Sequence, residues 1–268
     1  MTPEPRHATQ PALALAALTL IWGCNWAVMK TALFYAAPVD FAALRALLGA
    51  AGLFAVLALT GRRLAPIQWR STLILGVLQT TGFFGLVALA LENGAVGKSA
   101  VLAYTMPFWT LVLAAIFLGE RIRGLQWPAV ALAAGGLVCI IAPWRGDLGA
   151  DDSLFALGAA VCWAASMMVV KRMQLQGGEL LNVSAWQTLV GAGGLVLLAG
   201  ALPSEAVRWS ASFVLALAYN AVLATAVAWL LWLFALSRLP AGVTGLATLA
   251  TPVVSVAAAW LVFAEIPG

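Results

Sequence analysis

The sequence predicts an all-helical membrane protein, two inverted five-helix repeats around a central cavity. Three observations predict it. The composition leaves no soluble surface: 63% of the 268 residues are hydrophobic and 9% are charged, where a soluble domain carries about 25% charged residues. The apolar residues fall into runs of the length that crosses a bilayer, about 20 residues. The second half of the chain also resembles the first at a nearly constant offset.

The runs cover 11–33, 39–60, 71–91, 98–118, 125–142, 153–171, 181–201, 211–236 and 242–263. Short connectors such as Ala37-Pro38, Gly61-Arg62-Arg63 and Gln176-Gly177-Gly178 separate them. Nine or ten such helices consume the chain and leave no room for a soluble catalytic domain. Arg6 and His7 precede the first run as in a signal peptide, but the run continues past Trp22 to Phe34. That is too long for a signal segment, so it reads as an anchor helix. Cys24, Cys139 and Cys162 fall inside apolar runs and read as reduced, buried small hydrophobes rather than a disulfide or metal set.

The net charge of +4 is a topology signal, not a nucleic-acid footprint. With the N-terminus inside, the inner loops hold Arg6, Arg62, Arg63, Arg70, Arg121, Arg123, Lys171, Arg172 and Arg238. The outer side holds Lys30, Lys98, Arg145 and Arg208. That bias sets the N-terminus in the cytoplasm, in a bacterial-type inner membrane.

Four stretches recur in order. Trp22-Gly-Cys-Asn-Trp-Ala-Val-Met-Lys30 matches Trp163-Ala-Ala-Ser-Met-Met-Val-Val-Lys171, and Leu47-Leu-Gly-Ala50 matches Leu189-Val-Gly-Ala192. Tyr104-Thr-Met-Pro107 matches Leu249-Ala-Thr-Pro252, and Phe117-Leu-Gly-Glu120 matches Val262-Phe-Ala-Glu265. The offset drifts only from 141 to 145 residues. The repeats run over 1–145 and 146–268. A unit of five spans is odd, so its second copy must point the other way. Arg121 and Arg123 follow Glu120, but no arginine follows Glu265. Inverted repeats are a transporter architecture with the site near the midplane. By this comparison a tenth helix of about 20 residues is expected after Glu265; a nine-helix chain is the alternative.

These residues resemble the drug/metabolite transporter superfamily, specifically its EamA-type ten-helix exporters. The marks are Trp22-Gly-x-Asn25, Pro38-x-x-Phe41-Ala-x-x-Arg45, Pro107 and Gly119-Glu120-Arg121. The resemblance implies ten helices in two inverted repeats around a cavity. It includes amino-acid exporters such as the YddG-like group, and it does not name a substrate.

Polar groups inside spans are costly and usually face a bundle interior or a wet cavity. Trp22 and Asn25 share one helix face, and Trp163 and Ser166 repeat that spacing. Gln79, Tyr104, Thr105, Trp186, Tyr219, Thr248 and Thr251 complete the candidate substrate-binding set. Each is equally open to a purely structural role in an interhelical hydrogen bond. Trp229 and Trp232 read as packing or lipid-facing residues. Pro107 and Pro252 are candidate gating kinks, because proline removes a helical hydrogen bond. Lys30 and Lys171 read as snorkelling to headgroups, and Arg45 reads as a partner of Asp40. Gly49, Gly52, Gly135, Gly136, Gly191 and Gly194 are expected to allow close helix contact.

No nucleotide-binding glycine loop occurs, and one histidine cannot build the usual zinc site. No cofactor, metal or catalytic residue is therefore expected. The expected partners are a small-molecule substrate and the lipid bilayer, with a monomer plausible. No Asp or Glu falls mid-span, which argues for uncoupled movement or exchange. The expectation is a carrier exporting small metabolites, amino acids above all, by alternating access. The alternatives are a multidrug or quaternary-amine exporter and a non-transport membrane scaffold. A polar-lined central cavity would favour a carrier over the scaffold.

Overall fold

The computed structural model describes residues 5–119, 150–175, 179–236 and 250–265, with a few isolated positions between them. The expected fifth span (125–142), the start of the ninth, Glu120, Cys139 and Thr248 lie outside the described residues, apart from those isolated positions.

Among the described residues, eight helices follow in order. They are α1 (Pro5–Leu33), α2 (Pro38–Leu59), α3 (Trp69–Leu75, a π-helical Gly76–Gly82, then Phe83–Asn93) and α4 (Val96–Ala103 and Met106–Leu118). The second half gives α5 (Ala150–Met173), α6 (Glu179–Ala201), α7 (Ala211–Ala218, a π-helical Tyr219–Val227, then Ala228–Leu236) and α8 (Thr251–Phe263). Among the described residues, seven helices are long and apolar enough to cross a membrane, from Gln10–Leu33 to Ala211–Trp232.

Hydrogen bonds at the two ends of the bundle fix the direction of the helices. At one end, face A, the Lys30 ammonium closing α1 donates to the carbonyls of Leu91, Glu92 and Gly94 closing α3, at 2.6, 3.0 and 3.2 Å. Glu265, following α8, accepts from the amides of Val96 and Gly97 opening α4, at 3.1 and 3.2 Å. A cation thus sits at a helix C-terminus and an anion at an N-terminus, the signs the helix dipole favours. Lys30 therefore caps a neighbouring helix, where the sequence suggested a headgroup contact. Arg208, ahead of α7, donates to Phe34 and Tyr35 carbonyls through its side chain and backbone amide.

At the other end, face B, the Gln68 amide donates to Met173 O at 2.9 Å. Asn182 donates to Arg63 and Ala65 carbonyls, and Arg172 donates to Phe117 O. Hence α1, α3, α6 and α8 run from B to A, while α2, α4, α5 and α7 run from A to B. Each helix of α1–α4 is antiparallel to its sequence match in α5–α8. The halves are inverted, as the odd span count requires.

The packing repeats with the inversion. A Cβ on Gly49 of α2 would stand 2.7 Å from Thr225 on α7, and one on Gly52 3.3 Å from Ala226. A Cβ on Gly191 of α6 would stand 2.3 Å from Thr80 on α3, and one on Gly194 2.5 Å from Thr81. These are two copies of one crossing. Between lipid-immersed helices such close approach, rather than apolar burial, supplies the attraction. For Gly135 and Gly136 no described atom lies within 4 Å of a Cβ position, so no close contact is seen there.

The π-helical segments also match, one in each copy, and each widens its helix where a crossing helix lies. Each segment is hydrogen-bonded to a crossing helix. Thr81 Oγ1 donates to Gly191 O at 2.9 Å, and the Trp22 indole donates to Ala224 O at 3.1 Å. Such satisfaction is obligatory away from water. Two proline helices begin at matched points: Pro107 and Pro252 stand in the first turns of Met106–Leu118 and of α8.

Candidate functional site

A cavity of about 780 Å³ lies between the halves. Four helices present regular stripes to it. On α1, Trp22, Asn25, Trp26 and Met29 stand at i, i+3, i+4 and i+7; on α6, Leu180, Val183, Ser184 and Gln187 repeat that spacing. Residues four or so apart share one helix face. Gln79, Phe83 and Val87 on α3 and Trp163, Met167 and Val170 on α5 complete the walls, with Tyr104, Pro107 and Thr110 on α4 and Ala224, Trp229 and Trp232 on α7.

The cavity is one-sided. It reaches Leu180 and Val170 near face B, but toward face A its lining stops at Met29, Arg45 and Val87. Beyond them a buried cluster including Ala32, Ala36, Phe41, Leu91, Val96 and Phe213 fills the A end.

The walls are mainly apolar and rich in aromatic rings. Phe83 and Trp163 rings stand 4.9 Å apart, Trp22 and Trp232 6.1 Å, and Trp26 and Tyr104 6.2 Å. Trp229 and Trp232 thus face the cavity, which corrects the lipid-facing reading. A stretch as uniformly apolar as Ala228–Leu236 carries no sign of which side is inward.

Of the residues singled out in the sequence, the fold gathers Trp22, Asn25, Gln79, Tyr104, Pro107 and Trp163 in this one lining. The others fall elsewhere. Ser166 is fully buried and its hydroxyl donates to Trp163 O one turn back at 2.6 Å. Thr105 donates to Leu102 O and accepts from the Trp109 indole. The Trp186 indole donates to Leu64 O at 2.7 Å and packs edge-on to Phe54, anchoring the α2–α3 connection at face B. Tyr219 donates to Ile21 O at 2.9 Å, tying α7 to α1. Thr251 and Pro252 lie on α8, which packs behind α1 and contributes no residue to the lining. The Thr251 hydroxyl is buried without a hydrogen bond of normal geometry.

The sequence reading paired Arg45 with Asp40 and left it out of the candidate binding set. Arg45 lies in the cavity wall at 6% exposure, with its guanidinium 4.1 Å from the centroid of the Phe84 ring and Nη1 at 2.7 Å from Met29 Sδ. No ion pair joins it to Asp40, because five helical residues carry the two side chains to different faces. Three buried polar atoms on lining residues have no hydrogen-bond partner among the described residues: Arg45 Nε, Gln79 Nε2 and Asn25 Oδ1. Gln187, by contrast, accepts from Thr80 Oγ1 at 2.9 Å and donates to Thr188 Oγ1 at 3.1 Å.

Comparison with known proteins agrees with this architecture. The EamA-like transporter family model matches residues 10–142 and again 153–268. The uncharacterized transporter YoaV of Bacillus subtilis is 28% identical over 259 residues, spanning 93% of this chain and 87% of the relative. A probable amino-acid metabolite efflux pump of Salmonella typhimurium is 27% identical, over 92% of this chain and 85% of that protein. One solved crystal structure shares the fold at a TM-score of 0.69 and 19% identity, covering 97% of this chain and 89% of that one. With the repeated helical unit and its two matched stretches, this chain is an integral membrane transporter that belongs to the EamA-like transporter family.

Proposed function

We propose that the protein exports small, partly apolar metabolites, amino acids above all, by alternating access. The observation that carries the reading is the one-sided cavity between inverted halves. At face B, Leu180, Val183 and Ser184 of α6 line it. Their sequence matches on α2, Pro38, Phe41 and Ala42, are buried at face A. If the halves exchange conformations, face A opens and face B closes around the same central residues.

Face B carries Arg62, Arg63, Arg70, Lys171, Arg172 and Arg238, so positive-inside bias makes it the cytoplasmic face of an inner membrane. The cavity then loads from the cytoplasm, as an exporter must. A cavity of this volume, with Asn25, Arg45, Gln79 and Gln187 set in largely apolar walls, supports a carrier over a scaffold. Arg45 in the wall repels cationic drugs and disfavours the quaternary-amine alternative. The relative named as an amino-acid metabolite efflux pump supports the substrate class.

The test is counterflow in proteoliposomes with labelled amino acids, with and without a pH gradient. Exchange of at least one apolar amino acid, unchanged by the gradient, is expected. No exchange with any amino acid would refute the substrate class, and strong gradient dependence would refute uncoupled movement.

A further inference from the structure

We infer that the closed end of the cavity is a receptor for an α-amino-acid zwitterion, with the carboxylate on Arg45 and Gln79 and the ammonium on Asn25. The inference rests on the transport reading of the cavity and names what the cavity recognises.

Arg45 is the only charged residue among the described cavity-lining residues. Its guanidinium has five N–H donors, yet the interactions described for it are with a thioether sulfur and an aromatic face, and Nε is left without a hydrogen-bond partner among the described residues. A buried cation without a counter-charge is strongly unfavourable. A carboxylate arriving through the cavity supplies that charge and accepts two parallel hydrogen bonds from a guanidinium fork. An ammonium in the same place would meet repulsion.

The other two unpartnered atoms have complementary signs. Gln79 Nε2 is a donor and suits a carboxylate oxygen; Asn25 Oδ1 is an acceptor and suits an ammonium. Both residues are buried, at 4% and 6% exposure. Both line the same cavity as Arg45. Met29, which Arg45 touches, is four residues from Asn25 on the same α1 face, about one 5.4 Å turn. Phe84, which Arg45 covers, shares the α3 side of the lining with Gln79 across the end of the π-helical segment. The Trp26, Phe83 and Trp163 rings line the same cavity and would hold the ligand's apolar side chain.

The test is calorimetric binding to the full chain in lipid nanodiscs with three probes. These are L-phenylalanine, 3-phenylpropionate (no ammonium) and phenethylamine (no carboxylate). Phenylalanine should bind best and phenethylamine worst. Arg45→Gln should weaken phenylalanine about 10- to 100-fold, the range of a lost charge-assisted hydrogen bond, and should tighten phenethylamine by removing the repulsion. Phenethylamine binding as tightly as phenylalanine, or Arg45→Gln leaving phenylalanine unaffected, overturns the assignment. So does absence of binding by all three probes while counterflow of another metabolite succeeds, an outcome that leaves transport standing.

Asn25→Asp guards against a variant that merely misfolds. The new carboxylate should pair with Arg45, raising the thermal midpoint while weakening phenylalanine at least about tenfold. A lowered midpoint with phenylalanine affinity intact overturns the receptor.

Discussion

Helices α2 and α6 are sequence matches that pack against each other at the centre of the molecule, yet they do different things. The first turns of α6 line the cavity at face B, whereas the first turns of α2 are sealed into the A-end core. Arg45 and Gln187 stand 142 residues apart at matched positions and both reach the cavity. Gln187 is satisfied by Thr80 and Thr188, while Arg45 Nε is not satisfied. The same split holds for Asn25, which leaves an acceptor free, and its match Ser166, whose hydroxyl bonds within its own helix. The difference teaches that the repeat supplies a symmetric frame, while the unpartnered polar atoms of the cavity lining all lie in one half.

The sealed end gives the largest test of this contrast. Phe41 is fully buried, so Phe41→Ala should cost about 3–5 kcal/mol through lost burial and a cavity. Ser184→Ala, at the open end, removes only a bond to Leu180 O in its own helix and should cost less than about 1 kcal/mol. Thermal unfolding in detergent compares them, and equal losses would show that the two ends do not differ.

The central pair comes next. Gln187→Met strands the Thr80 hydroxyl and should destabilise by about 1–3 kcal/mol. Arg45→Met removes an uncompensated cation and should stabilise by about 1–3 kcal/mol while abolishing carboxylate binding. Opposite signs in the same unfolding assay are the signature; a loss of stability from Arg45→Met would mean that the guanidinium is satisfied.

The crossings give the smallest effect. A Cβ on Gly191 would lie 2.3 Å from Gly76 O, a backbone atom, whereas a Cβ on Gly49 meets only the Thr225 side chain. Overpacking costs about 1–3 kcal/mol. Gly191→Ala should therefore fall at the upper end of that range and Gly49→Ala at the lower, read as the difference between their unfolding midpoints.

Much of the fold was legible in the sequence. Spans, the repeat and its inversion follow from run length, spacing and an odd span count. Trp22, Asn25, Gln79 and Trp163 stood out because a polar or indole group is conspicuous in an apolar run, and they meet at one cavity. The same rule overreached at Trp186, Tyr219, Thr105 and Ser166, whose hydrogen-bonding groups are spent on backbone carbonyls. An interhelical tether and a ligand contact look alike in one dimension. The π-helical segments are the more polar stretches of their spans, GVLQTTG and YNAVLATAV, but polarity alone carries no mark of a widened helical turn.

The sequence by itself determined that this chain lives in a bilayer, that its halves are copies, and that they oppose each other. These depend on hydropathy, offset and parity, which are properties of the chain as a line. Only the tertiary structure decided which faces turn inward, that the cavity reaches toward one face alone among the described residues, and that Arg45 has no acidic partner among them. Lipid and protein interior are equally apolar, so hydropathy cannot separate a lipid-facing Trp232 from a cavity-facing one. Whether a buried charge is compensated depends on which neighbouring helices meet it.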